Sequence, residues 1–221
     1  MDDLSGSRAR AGWFFRIQSE LVNSIESLDD IGPAVAFLGS ARIAEQTPLY
    51  EAARDTARRM AAQGLAVITG GGPGIMEAAN RGCQEVGGRS IGLNIELPRE
   101  QRPNPYQHQR LRFRYFFIRK LVFVRHATAC VVFPGGFGTA DELFEFLTLI
   151  QTGKIRRFPL FLYGCGYWQG FLDWLHSSML GEGCINAEDL DLLQLVDTPE
   201  QAATLVGEFI ERNPPVCPTY P

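Results

Sequence analysis

The stretch PGGFGTADE, Pro134 to Glu142, follows a β-branched apolar run and opens a pattern of helical period, with carboxylates at Asp141, Glu142 and Glu145. Glycine brings main-chain N–H groups close to an anion with no Cβ in the way, and the first amides of a helix have no partner inside it. A phosphate held by the N–H groups of Gly135, Gly136, Gly138 and Thr139, with Phe137 between them, would gain charge-assisted hydrogen bonds of roughly 1.5 to 3 kcal/mol each. The helix dipole adds about 0.3 to 1 kcal/mol. That suits a nucleoside monophosphate. No lysine follows the glycines and their spacing is not GxGxxG, so the triphosphate and dinucleotide loops fit less well.

A carboxylate beside a bound phosphate needs something cationic to face, and Glu142 is the residue assigned to it. The ribosyl oxocarbenium ion that forms when an N-glycosidic bond breaks is such a species, and glycoside-cleaving sites place carboxylates against it. Helical spacing puts Glu142 and Glu145 near one face, with Asp141 turned away by about 100°. Asp141 and Glu145 are read as charges complementing the helix start.

A second cluster, TGGGPGIMEA from Thr69 to Ala78, repeats the arrangement of buried strand, glycines and helix start. Both clusters therefore lie at the carboxyl edge of a sheet, where open α/β folds bind ligands. Gly71 and Gly72, together with Ser40 just after the first strand, are assigned to the substrate-binding set on that ground. Met76, Asn94 and Glu100 are placed by position at the base pocket. Between Arg102 and Arg125 stand Arg110, Arg112, Arg114, Arg119 and Lys120 with no acid among them. Either an anionic ligand or a solvated arginine-rich face accounts for most of that run, while Lys120 is assigned to the substrate-binding set.

The elements that must hold these residues alternate. Apolar strands are expected at Ala34–Gly39, Leu65–Thr69, Ser90–Ile95, Ala129–Phe133, Pro159–Tyr163 and Leu193–Val196. Helices between them start near Pro48, Ile75, Phe117, Thr139, Trp168 and Pro199. Continuous apolar strands alternating with helices imply a parallel sheet covered on both faces, a three-layer α/β fold. Residues 1–30 are expected to form a helical extension, 31–213 a single domain, and 214–221 a disordered tail. The polar, proline-bearing stretch from Glu96 to Leu111 reads as a loop lying over something.

Composition narrows the functional classes. The chain has 221 residues, 45% of them hydrophobic, enough for one large α/β core. A net charge of −4 speaks against a nucleic-acid binder. No apolar run approaches the length of a membrane span, and the first residues lack the features of a secretion signal, so a cytoplasmic location is expected. Five cysteines without a CxxC pair and three scattered histidines predict reduced thiols and no metal site.

PGGFGTADE fits the P-G-G-x-G-T-x-x-E signature of the Lonely Guy family, once labelled lysine decarboxylases. Arg119-Lys120, 15 residues before Pro134, stands where that family has its Arg-Lys pair, and GGGPGIMEAAN resembles its first glycine loop. The similarity runs from about Ala34 to Leu180. It implies a Rossmann-like, dimer-forming fold that hydrolyses nucleoside 5′-monophosphates, notably cytokinin riboside monophosphates, to free base and ribose 5-phosphate without a cofactor. It also implies Arg119 and Glu142 as the catalytic pair, and Thr148 near the ligand. Phe116, Phe117 and Ile118 stand where plant-type members have Met-His-Glu. The decarboxylase label demands a Schiff-base lysine, and of the two lysines, Lys120 sits in a basic segment and Lys154 follows a helix end. The alternative function is a non-catalytic nucleotide or molybdenum-cofactor carrier, which would need the glycines but neither Arg119 nor Glu142.

Overall fold

A computed structural model describes the backbone of residues 3–97 and 102–214, and side chains from residue 12 onward. The described residues build a seven-stranded, all-parallel sheet in the order β4-β3-β2-β1-β5-β6-β7. Its strands are β1 (Ala34–Leu38), β2 (Ala66–Thr69), β3 (Ser90–Ile95), β4 (Gln109–Phe113), β5 (Ala127–Val132), β6 (Leu160–Tyr163) and β7 (Leu193–Val196). The chain winds outward from β1 to β4, then crosses back to lay β5 on the other side of β1. The β1/β5 junction is therefore the topological switch point, where the loops at the strand ends part and leave a crevice.

Two apolar clusters sandwich the sheet. Ala34, Ala36 and Leu38 of β1 point into one, Val35 and Phe37 into the other, as a strand with both faces covered requires. The first is closed by α4 (Phe116–His126), α5 (Phe137–Gln151) and α6 (Cys165–Trp174) through Ile118, Val122, Leu143, Phe146 and Trp168. The second is closed by α2 (Pro48–Ala62), α3 (Ile75–Glu85) and α8 (Pro199–Arg212) through Tyr50, Met60, Ile75, Ala79 and Val206. The expected three layers are what the chain forms.

Two expectations change in detail. The stretch read as loop from Glu96 to Leu111 ends in β4, an edge strand whose Leu111 and Phe113 are buried while Arg110 and Arg112 are exposed. Its period-2 pattern is present in QRLRF, but three polar residues in five make it look like loop. The amino-terminal helix α1 runs from Asp3 to Glu26. The helix expected to start near Trp168 starts at Cys165 and widens into a π-helical turn at Leu175–Leu180, followed by the four-residue α7, Ala187–Leu190. The expected tail lies outside the described residues beyond Pro214.

The starts of the helices differ in a way that matters for the site. Helices α2 and α8 open with Thr-Pro, and the Thr47 and Thr198 hydroxyls accept hydrogen bonds from the amides of Tyr50 and Gln201. Helix α5 opens on Gly136, which has no side chain to cap it. The first intrahelical bond at that end runs from Ala140 N–H to the Gly136 carbonyl, so the amides of Phe137, Gly138 and Thr139 face outward.

Candidate active site at the sheet switch point

Those amides border a cavity of about 930 Å³ at the β1/β5 junction. The β1 loop from Gly39 to Arg42 forms one wall and Gly135–Ala140 the other, with Met76, Ile95 and Leu97 alongside and Arg119 and Glu142 among the lining. Gly135 is demanded by its neighbour. A Cβ built there would lie 2.1 Å from Oγ1 and 2.6 Å from Cβ of the buried Thr139. The Gly135 carbonyl accepts a 2.6 Å hydrogen bond from the Tyr167 hydroxyl, which ties the loop to α6.

Arg119 comes from α4 and Glu142 from α5, and Arg119 Nη2 donates to Glu142 Oε1 at 2.7 Å. Their side chains are only 11% and 14% exposed, so this pair is far less screened than a surface bridge. Burial raises the Glu142 pKa above the ordinary glutamate value, opposed by the Arg119 charge and reinforced by Asp141. The guanidinium is held over the rings of Phe116 and Phe123, 5.3 and 6.0 Å from their centroids. Gly70 leaves room for it, since a Cβ there would stand 3.3 Å from Arg119 Nη1 and 2.8 Å from Met76 Sδ. Arg119 Nε is buried and has no hydrogen-bond partner among the described residues.

Lys120 points the other way. It bonds Asp141 Oδ1 and Glu145 Oε2, each at 3.1 Å, clamping α4 to α5. Burial works against its ammonium, but the bonds to Glu145 and Asp141 outweigh it and raise the pKa. The expected grouping of acids is thereby corrected. Asp141 and Glu145 are four residues apart and share a face, whereas Glu142 turns alone into the cavity, because four residues depart from a full turn by less than three do.

Several sequence expectations are brought together here: Ser40, Met76, Arg119, Gly135, Gly136, Phe137, Gly138, Thr139 and Glu142 all line this one cavity. Others are not. Lys120 is engaged as just described. Gly71 and Gly72 are buried, and their carbonyls accept from Gln107 Nε2 at 2.7 Å and Asn104 Nδ2 at 2.9 Å, so this loop is a packed support rather than a second cradle. Asn94 belongs to the same network, donating to Gln107 Oε1 at 2.8 Å, and is buried. Thr148 is exposed and lines a separate cavity of about 210 Å³ with Gln151 and Met179. Glu100 lies outside the described residues. The arginine run also divides: Arg110, Arg112 and Arg114 sit at the far edge strand, in a groove shared with Arg16, Glu20 and Glu96.

The sequence reading overlooked an aromatic wall. Phe116, Phe144, Tyr167, Trp168 and Phe171 line the same cavity, and Phe171 meets Phe144 and Trp168 edge to face at 5.8 and 5.6 Å. The signal was present in GYWQGF, which puts aromatics at i, i+1 and i+4 directly after a buried strand. Arg42, from the β1 loop, was overlooked as well.

A doubly wound sheet with an uncapped helix start and an arginine–glutamate pair at its switch point defines a Rossmann-like protein. Residues 76–206 match the family described as possible lysine decarboxylase, and the chain belongs to that family, the Lonely Guy family. It is 30% identical over 178 residues to the cytokinin riboside 5′-monophosphate phosphoribohydrolase of Oryza sativa subsp. japonica, covering 79% of this chain and 72% of that one. A pyrimidine/purine nucleotide 5′-monophosphate nucleosidase of Escherichia coli is 33% identical over 137 residues, 57% of this chain and 30% of the relative. Among solved structures, the molybdenum cofactor binding protein of Rippkaea orientalis superposes with a TM-score of 0.60 at 18% identity, covering 81% of this chain and 98% of that one. At that identity the likeness speaks for the fold alone.

Proposed function

We propose that the protein hydrolyses the N-glycosidic bond of nucleoside 5′-monophosphates, releasing free base and ribose 5-phosphate. The observation that carries this reading is the 2.7 Å Arg119–Glu142 pair set in the same cavity as the uncapped start of α5. The 5′-phosphate sits on the amides of Phe137, Gly138 and Thr139, which fixes the ribose beside Glu142. The base lies against the aromatic wall, whose flat faces suit a purine such as adenine or an isopentenyladenine.

In the reaction, water forms a bond to C1′ as the bond from C1′ to the base nitrogen breaks, and the proton ends on the departing base. Glu142 faces the positive charge developing on the sugar and takes the proton of the attacking water. Arg119 opposes the effect of burial on the Glu142 pKa and so favours the carboxylate that the reaction uses. A carrier would need the cradle but not this pair. The names of the relatives, phosphoribohydrolase and nucleosidase, support the same reading.

The reading includes a homodimer, for which Phe14, Phe15, Phe117 and Leu121, exposed on α1 and α4, offer an apolar face. It also includes a cytoplasmic location; no helix among the described residues is long and apolar enough to cross a membrane. A panel of nucleoside 5′-monophosphates, followed by chromatography for free base and ribose 5-phosphate, tests the activity. Equal amounts of both products are expected from at least one member, and their absence across the panel would sink it.

A further inference from the structure

Among the described residues, the charged side chains lining the cavity are Arg42, Arg119 and Glu142. A phosphate monoester carries about −1.5 to −2 at neutral pH, more than neutral amides and one helix start offset. Arg119 has already committed a guanidinium nitrogen to Glu142 at 2.7 Å, and Lys120 is taken up by Asp141 and Glu145. That leaves Arg42 as the lining cation with no ion pair among the described residues. The acid nearest to it in sequence, Glu45, leans toward Arg81 at 3.7 Å instead.

The loop carrying Arg42 is fixed against the cradle. Ser40 N–H donates to the Pro134 carbonyl at 3.1 Å, and its own carbonyl accepts from Ile75 N–H at 3.1 Å. Arg42 N–H donates to Ser40 Oγ at 3.1 Å, so the turn that presents the side chain is held from within. The result is a cation on a pinned loop, lining the same cavity as the glycine-rich helix start.

We infer that Arg42 is a substrate-binding residue that pairs with the 5′-phosphate, supplying the charge that the neutral glycine cradle lacks. Resting on the nucleotide reading above, this assigns the selectivity for phosphorylated over unphosphorylated ligands to the β1 loop. Arg42 acts on binding, since the phosphate has the same charge in ground and transition states.

The test is steady-state kinetics on AMP with Arg42→Ala and Arg42→Lys, together with calorimetric titration of ribose 5-phosphate. Losing one charge-assisted contact should raise KM by about 10- to 100-fold with kcat within about threefold, and lysine should restore most of the loss. Ribose 5-phosphate should bind the alanine variant correspondingly more weakly. A KM within about twofold of the unaltered protein would overturn the inference. Should the unaltered protein release no base, the titration still decides. Weakened ribose 5-phosphate binding by Arg42→Ala would uphold the role of Arg42 while the hydrolase reading falls, and unchanged binding would overturn it.

Discussion

Replacing Gly135 by alanine is the sharpest perturbation the cradle offers. The added Cβ would lie 2.1, 2.6 and 2.9 Å from Oγ1, Cβ and Cγ2 of Thr139, all well inside contact distance, and Thr139 is buried and cannot swing clear. Relief requires the loop and the helix start to separate by on the order of 1 Å, an overpacking strain of about 1 to 3 kcal/mol. Displacement on that scale at a phosphate anchor costs about 100-fold in turnover even when the chemistry is remote. At Gly136 and Gly138 a Cβ meets no protein atom within 4 Å, so the same substitution there strains nothing within the protein. Thermal unfolding should place Gly135→Ala below Gly136→Ala and Gly138→Ala, and kcat/KM for a nucleoside monophosphate should fall about 100-fold for Gly135→Ala. A Gly135→Ala protein with unaltered melting temperature and turnover would refute the claim that this glycine is fixed by contact with Thr139.

Two further outcomes follow from the site and its support. Because burial raises the Glu142 pKa, and the mechanism needs the carboxylate ionised, activity should be lost as pH falls, with its acid limb above the usual glutamate range. Arg119→Met, which removes the opposing charge, should move any residual limb higher still in a pH–rate profile, and a limb at or below the ordinary value would contradict this. Asn104→Ala removes the side-chain donor to the Gly72 carbonyl and one of the two donors to Asn80 Oδ1, which keeps the Thr69 hydroxyl, and should lower unfolding free energy in denaturant titration by about 1 to 3 kcal/mol.

What was legible in the sequence follows the physics of each signal. Buried parallel strands are short apolar runs with glycine punctuation, so β1, β2, β3, β5, β6 and β7 could be read directly. The edge strand β4 buries one face only, and QRLRF hides two core residues among three polar ones. The PGGFGT cradle was legible because glycine and threonine there serve local backbone geometry. The first glycine cluster misled for the same reason: glycines that admit a ligand and glycines that admit Arg119, Met76 and a buried amide network have one composition. Asn94 was drawn to the ligand by position, but its partners Gln107 and Leu111 lie 13 and 17 residues on, a distance that spacing does not reveal. Arg42 and the aromatics of α6 were missed because their meeting depends on β1 and β6 flanking β5, a fact of strand order rather than of local pattern.

The central claim is that Glu142, held by Arg119 at the sheet's switch point, acts on the bond between ribose and base. Chromatographic measurement of base release from AMP by the unaltered protein and by Glu142→Gln, folded to the same extent, tests it most directly. The account predicts stoichiometric base and ribose 5-phosphate from the first and a rate at least about 100-fold lower from the second, as expected when a preorganised transition-state contact is removed. Equal rates from the two proteins would contradict it.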